Sequence, residues 1–214
     1  MESLHSAYVP AAGAAVPAPR RSPVPGGDLR GTVRTGTLRF PAGDRVVVSG
    51  LPGSGKSTLM RRAATGAGPV LRIDSQDTRE RWAQRLPDLL PYALYRPFVR
   101  AAHYAGLRRS LASEASLLVH DCGTQGWVRR WLAADARRRG RGLHLIVIDV
   151  PASVALAGQA QRGRGVSRYA FLRHRRAVAR LLAEAEAGRL PDGCTSVTVL
   201  DRGAASALRT VTFG

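Results

Sequence analysis

The chain has 214 residues, the length of one compact domain with a tail, so a large multidomain machine is excluded. Hydrophobic residues make up 44% and charged residues 22%, ample for one sizeable core and too apolar for a wholly disordered chain. No stretch approaches the ~20 consecutive apolar residues of a membrane span, and the N-terminus lacks the basic region and apolar core of a signal peptide, so the expected location is the cytoplasm. Two cysteines, Cys122 and Cys194, are too few for a disulfide framework or a four-thiolate zinc site and read as buried small hydrophobes.

The formal net charge is +18, from 33 basic and 15 acidic residues, a balance that attracts phosphate-rich partners, nucleic acid among them. Of the 33 basic residues 32 are arginine, and asparagine is absent, a usage typical of a GC-rich genome. Such a bias trades lysine for arginine but does not double the basic residues over the acidic ones, so part of the electrostatic signal stands. The single lysine, Lys56, marks a position that needs an ammonium where arginine serves everywhere else.

Residues 1–30 are rich in Ala, Pro, Gly and Ser with no apolar period. They predict a flexible tail, with a tether or partner-binding segment as the functional alternative, ahead of a folded domain over 31–214. Thr37 to Phe40 and the turn at Pro41-Ala42-Gly43-Asp44 lead into the core. Buried strands are expected at 45–49, 70–74, 116–120, 143–150 and 196–200, all short continuous apolar runs of the kind covered on both faces. Helical patterns lie between them, as at Trp127, Val128, Trp131 and Leu132 with Arg129, Arg130 and Asp135 on the opposite side. The stretch 79–114 carries Pro87, Pro91 and Pro97 as breakers and predicts two or more helices. Strands alternating with helices imply an α/β fold with a parallel sheet and right-handed crossovers. No internal repeat is present.

The strand at 45–49 runs directly into Gly50-Leu51-Pro52-Gly53-Ser54-Gly55-Lys56-Ser57-Thr58, which matches G-x-x-x-x-G-K-[ST] at every specified position. The glycines free the backbone to turn consecutive N–H groups toward one anion, and a helix starting near Gly55 adds its partial positive end. Lys56 is placed for the β- and γ-phosphates, where a flexible point charge fits better than a planar guanidinium, and the Ser57 hydroxyl for Mg²⁺.

Residues 50–58 resemble the Walker A motif of P-loop nucleotide triphosphatases. The wording is similar to the kinase branch: AAA-domain ATP-binding proteins, polynucleotide, shikimate and gluconate kinases, zeta-type toxin kinases and antibiotic phosphotransferases. The resemblance covers roughly residues 40–200 and implies a P-loop three-layer α/β sandwich, with a mostly parallel five-stranded sheet in the order 2-3-1-4-5. It implies ATP and Mg²⁺ as cofactors and Gly50, Pro52, Gly53, Ser54, Gly55, Lys56, Ser57 and Thr58 as the nucleotide-binding residues.

In that branch the second strand ends in an Asp-Ser-Asp-x-x-Arg-like stretch whose carboxylate takes the acceptor's proton. This chain has Ile73-Asp74-Ser75-Gln76-Asp77-Thr78-Arg79. Asp74 fits the first acidic position, Gln76 stands in place of the second, and Asp77 follows one residue later. Asp74 is favoured as base with Asp77 as the alternative, and both residues also suit a helix cap. The third strand ends in Asp121, similar to a Walker B carboxylate for Mg²⁺; Asp149, after the fourth strand, has the same local form. His120 and Cys122 flank Asp121 without the ligand count of a transition-metal site. Arg162, Arg164 and Arg168, among the glycines of 161–168, match a mobile lid that closes over the transferred phosphoryl group, or else form a solvated basic loop.

The acceptor region is expected between the second and third strands, where Tyr92, Tyr95, Arg96, Phe98, Arg100, His103, Tyr104, Arg108 and Arg109 cluster. Aromatics interleaved with arginines suit base stacking along a phosphate backbone, and equally an amphipathic helix with arginines in water. Two activities compete: phosphoryl transfer from ATP to a hydroxyl, on a nucleic-acid end or a small molecule, and a nucleotide-dependent ATPase switch on a macromolecular partner. A pure nucleic-acid binder is the weaker third, because it leaves the Walker A residues without a purpose. A GTPase of the Asn-Lys-x-Asp type cannot exist without asparagine, no LSGGQ-like signature of transporter ATPases is present, and the roughly 155 residues after Lys56 are too few for an AAA+ core with its helical lid domain.

Overall fold

The run Arg45–Gly50 (β3) is buried at all six positions and sits inside a parallel sheet. The computed structural model describes residues 26–32, 36–66, 68–87, 89–121, 125–161, 165–191 and 193–214, with the backbone alone at 63–66, 92 and 93. In chain order β3 is preceded by Gly27–Asp28 (β1) and Thr37–Phe40 (β2), and followed by Lys56–Ala63 (α1), Ala64–Gly66 (β4), Val70–Ile73 (β5), Ser75–Ala83 (α2) and Tyr92–Leu111 (α3). Next come Ser116–His120 (β6), Gly126–Arg138 (α4), Leu143–Ile148 (β7), Ala152–Ala160 (α5) and Arg168–Glu186 (α6). Ser196–Leu200 (β8), Arg202–Ala207 (α7) and Thr210–Phe213 (β9) complete the described elements.

The main sheet has the order β1-β8-β7-β3-β6-β5, and each of its pairings is parallel. Taken over the five expected strands this is the order 2-3-1-4-5, with β1 added beside β8. Val47 faces Val119 and Leu145 in register, and Leu145 faces Val197, so an apolar row runs unbroken across the centre. α1 packs on β3 and β6, α4 on β7, and α6 on β7 and β8. Covering both faces of β3, β6, β7 and β8 is what makes their sequences continuous apolar runs.

Three features were not anticipated. Residues 26–30, at the end of the stretch read as a tail, lie against the sheet: Gly27 and Asp28 pair with Thr198 and Val199, and Arg30 reaches Asp28 at 2.6 Å, Asp149 at 3.0 Å and Glu186 at 2.9 Å. Backbone pairing needs no side-chain pattern, so composition was blind to it. A second parallel sheet, β2-β9-β4, closes the region beside α1. Pro97 does not break the helix but lies inside α3, whereas Pro87 and Pro91 separate α2 from α3 as expected. A proline near a helix start removes one rung of the ladder, and packing of the helix offsets that loss.

At the N-terminal edge of the strands, the buried Asp44 carboxylate accepts from His144 Nε2 at 2.8 Å and from the Gly142 N–H at 2.8 Å. His144 Nδ1 lies 3.0 Å from Ser196 Oγ. Arg45, 1% exposed, is balanced by Asp135 at 3.1 Å and by the Gly43 carbonyl. These contacts fix the strand ends farthest from the loop that follows β3.

Candidate active site

The loop between β3 and α1 is set by close approach. Gly53 has φ 89°, and a Cβ there would stand 2.0 Å from the carbonyl oxygen of Ala155 on α5, so only glycine lets the loop pass under that helix. Gly55 has φ 95° with open space around it; its requirement is conformational. The Ser54 N–H donates to the Leu51 carbonyl at 3.0 Å, and the Leu59 N–H to that of Gly55 at 2.9 Å, which starts α1. Lys56, 3% exposed, donates through Nζ to the carbonyls of Gly50 and Leu51, each at 2.8 Å. The ammonium is thereby held at the mouth of its own loop. Ser54 Oγ, sealed from solvent, makes no hydrogen bond; an unsatisfied hydroxyl in a loop of N–H donors suits an incoming oxyanion.

Asp74 follows β5 and caps α2, accepting from the Gln76 N–H at 2.9 Å. The Ser57 hydroxyl lies close enough to favour its ionised form, so the predicted base and the predicted Mg²⁺ ligand are neighbours. Burial opposes ionisation of Asp74, but the His120 ring, the Gln76 N–H, the Ser57 hydroxyl and Arg72 together hold its carboxyl below its ordinary value. His120 Nδ1 lies 3.9 Å from Asp74 Oδ1. Burial first, then the charge of Lys56, pushes this imidazole down to about 4. At neutral pH His120 is therefore uncharged, and the Asp74 carboxylate rests on the Gln76 N–H at 2.9 Å. His103, also pushed down by burial, stands beside it on α3.

Three cavities surround this centre. One of about 230 Å³ lies along Gly53, Gly55 and Thr58, walled by α5 and by Arg202 and Ser206 of α7. A second, about 330 Å³, begins at Pro52 and is lined by His120, Asp121, Tyr104 and several arginines of α3 and α6. The third and largest, about 750 Å³, lies between α2 and α3 and includes Asp74 and Asp77. Gly53 and Pro52 face different cavities, so the loop stands between them.

The predicted residues separate accordingly. Asp77 pairs with Arg72 at 3.1 Å and, like Asp74, lines only the largest cavity. Asp121 borders the 330 Å³ cavity, but its Oδ2 accepts from Arg129 at 2.9 Å. Asp149 is tied to Arg30 at 3.0 Å, on the β1 side. Arg168 is exposed at the start of α6, where Ser167 caps the helix by accepting from the Ala170 N–H at 3.3 Å; it lines none of the three cavities. Cys122, Arg162 and Arg164 fall outside the described residues, and Cys194 is buried as expected. In the acceptor region Arg96, Arg100, His103 and Tyr104 line the 330 Å³ cavity, while Tyr95, Phe98 and Arg108 do not.

Sequence reasoning missed Arg173 and His174 of α6, which close the same cavity. It also missed Gln159 of α5, which donates to the Pro52 carbonyl at 3.2 Å and accepts from the Val166 N–H at 3.0 Å, joining the loop to the segment before α6. Only the spacing of α6 in register with α3 would have found them, and that is a tertiary property. Among the described residues no three His, Cys, Asp or Glu side chains gather as a metal cluster. The donor set here is hard oxygen, Ser57 Oγ and carboxylates, which suits an ion that keeps most of its waters. No helix among the described residues is long and apolar enough to cross a membrane.

A search of curated proteins found no match. Among solved structures, a chain of the PezAT chromosomal toxin–antitoxin system of Streptococcus pneumoniae is similar, with TM-score 0.50 and 14% identity, over 78% of this chain and 70% of that one. A gluconokinase from Sinorhizobium meliloti 1021 matches at TM-score 0.41 and 19% identity, over 79% and 92%. The Deinococcus radiodurans tunicamycin resistance protein matches at 0.41 and 15%, over 70% and 89%. At these identities the likeness is one of fold, and no functional statement rests on it. Beyond β8 the described chain contains α7 and β9 only, and no helical lid domain. With a family model described as an AAA domain matching residues 46–187, and a Walker A loop leading from the central strand of a parallel sheet, the chain belongs to that AAA domain family and has the fold of a P-loop NTPase.

Proposed function

We propose that the protein is an ATP-dependent phosphotransferase that moves the γ-phosphoryl group to a hydroxyl acceptor. The observation that carries this reading is the position of the loop between two cavities: one along Gly53, Gly55 and Thr58 for the nucleotide, the other lined by Pro52, His120 and Asp121. A switch that only hydrolyses ATP needs the first and has no use for the second.

In this account the phosphates replace the Gly50 and Leu51 carbonyls as partners of Lys56 and take the loop N–H groups, so that developing charge on the γ-phosphoryl oxygens meets fixed donors. Ser57 and Asp121 would hold Mg²⁺, which supplies charge neutralisation across the β- and γ-phosphates when bound. The acceptor oxygen attacks the γ-phosphorus, the bond to the β–γ bridging oxygen breaks, ADP leaves, and the acceptor proton passes to the Asp74 carboxylate. Asp77, paired with Arg72 at 3.1 Å, is the alternative base. Arg162, Arg164 and Arg168 are the arginines assigned to close over the phosphoryl group.

The test is γ-labelled ATP with magnesium, offered 5′-hydroxyl oligonucleotides, nucleosides, sugars and no acceptor in parallel. Label on any acceptor supports transfer. Free phosphate alone, at the same rate with and without acceptors, identifies the ATPase switch instead. If the charge of +18 serves nucleic acid, oligonucleotide affinity falls steeply with added salt; no binding even in dilute buffer removes that class.

A further inference from the structure

Resting on the phosphotransferase reading, we propose that the acceptor is a small hydroxyl compound carrying its own oxyanion, a carboxylate or a phosphate, held in the 330 Å³ cavity by Arg96, Arg100 and Arg173. These three converge from two helices, Arg96 and Arg100 from successive turns of α3 and Arg173 from α6. Among the described residues the side chain of none of the three has an ion pair or a hydrogen bond. The cavity's one carboxylate, Asp121, is already neutralised by Arg129 at 2.9 Å.

The result is a concave site with several positive charges and no spare negative one, a field that draws in and orients an anion. The fork of a guanidinium matches a carboxylate or phosphate edge with two parallel donors. Val99, Leu107, Val119 and Val128 line the rest of the wall, so the remainder of the ligand meets apolar surface. A volume near the low end of small-molecule sites fits a compact acceptor rather than a polymer strand. The neighbouring 750 Å³ cavity differs in this respect. Its Arg72 is paired with Asp77 at 3.1 Å, and its Arg81 donates to the Asp77 carbonyl at 3.2 Å and Thr78 Oγ1 at 3.3 Å, so two of its cations are spoken for within the chain.

The test has two readouts on the full chain. Calorimetric binding and label transfer from γ-labelled ATP are measured with gluconate, glucose 6-phosphate and glucose, with glycerate, glycerol 3-phosphate and glycerol, and with a 5′-hydroxyl oligonucleotide. In each set one skeleton carries a carboxylate, a phosphate or neither. The expected result is that an anionic member binds and the neutral one of its set does not, the arms showing which oxyanion is preferred. R100Q/R173Q then weakens that binding on the order of tenfold or more while Mg-ATP affinity is unchanged. R85Q, in the larger cavity, leaves both unchanged. Equal use of the neutral member, binding insensitive to R100Q/R173Q, use of the oligonucleotide alone, or no binding by any anionic member overturns the proposal. Anion binding that depends on Arg100 and Arg173, with label released only as free phosphate, leaves the anion site standing and sinks the phosphotransferase reading instead.

Discussion

The two ends of the same parallel strands carry nearly the same residue types and do opposite things with them. At the N-terminal end Asp44, His144 and Ser196 form a chain of contacts at 2.8 and 3.0 Å, with exposures of 2%, 1% and 8%, and none of the three lines any of the cavities around the phosphate loop. At the C-terminal end Ser57, Asp74, His120 and Lys56 are just as closely grouped, but cavities open beside them. A serine, a histidine and an aspartate in line resemble a nucleophilic triad only on paper, because a nucleophile needs room for the atom it attacks. The sealed end is scaffold. At the open end the ammonium of Lys56 is held by carbonyls a phosphate can replace, and the arginines converging from α3 and α6 have no carboxylate partner among the described residues.

That contrast breaks most directly at Lys56. Lys56→Ala is expected to abolish measurable Mg-ATP binding and to cut phosphoryl transfer by at least ~10²-fold, whereas Asp44→Ala leaves nucleotide affinity unchanged when both are assayed by calorimetry below their unfolding temperatures. Asp74→Asn separates binding from chemistry: Mg-ATP affinity is retained and transfer falls ~10²- to 10⁴-fold in a single-turnover assay, and an undiminished rate hands the role to Asp77.

The next effect is on stability. His120 is pushed from its ordinary 6.5 down to about 4 by burial and by Lys56, so between those pH values the unfolded chain takes up a proton that the folded chain refuses. The stability contributed by a neutral His120 is complete above about pH 6.5 and is lost as pH falls toward 4, on the order of 3 kcal/mol. Denaturant melts of wild type and His120→Gln across this window should show a smaller acid loss in the variant. A parallel loss in both chains would place the titrating group elsewhere. Smallest is the sealed end: Asp44→Ala leaves buried donors on His144 and Gly142 without their acceptor and costs ~1–3 kcal/mol, read as a lower denaturation midpoint with transfer kinetics intact.

The molecule was unequally legible in its sequence. The loop from Gly50 to Thr58 could be recognised from its glycine spacing and from Lys56 as the only lysine, and the structure adds that a Cβ on Gly53 would stand 2.0 Å from the Ala155 carbonyl oxygen. The five central strands could be read because burial on both faces writes them as apolar runs. β1, β4 and β9 could not: they are two to four residues long and pair through backbone groups that leave little side-chain trace. Asp74 was favoured as base at the end of the second strand, but its closeness to Ser57 joins residues 17 positions apart in sequence. The distribution of charge among Asp121, Arg129, Arg96, Arg100 and Arg173 was hidden for the same reason. A chain with 33 basic residues does not announce which of them lack a partner until the helices are packed.

The most direct test of the account is a calorimetric titration of the full chain with Mg-ATP, run beside Lys56→Ala at the same protein concentration. Saturable heat and a raised melting temperature in wild type, both absent in the variant, are the predicted result. Heat of equal size in the two proteins, or none in either, contradicts it.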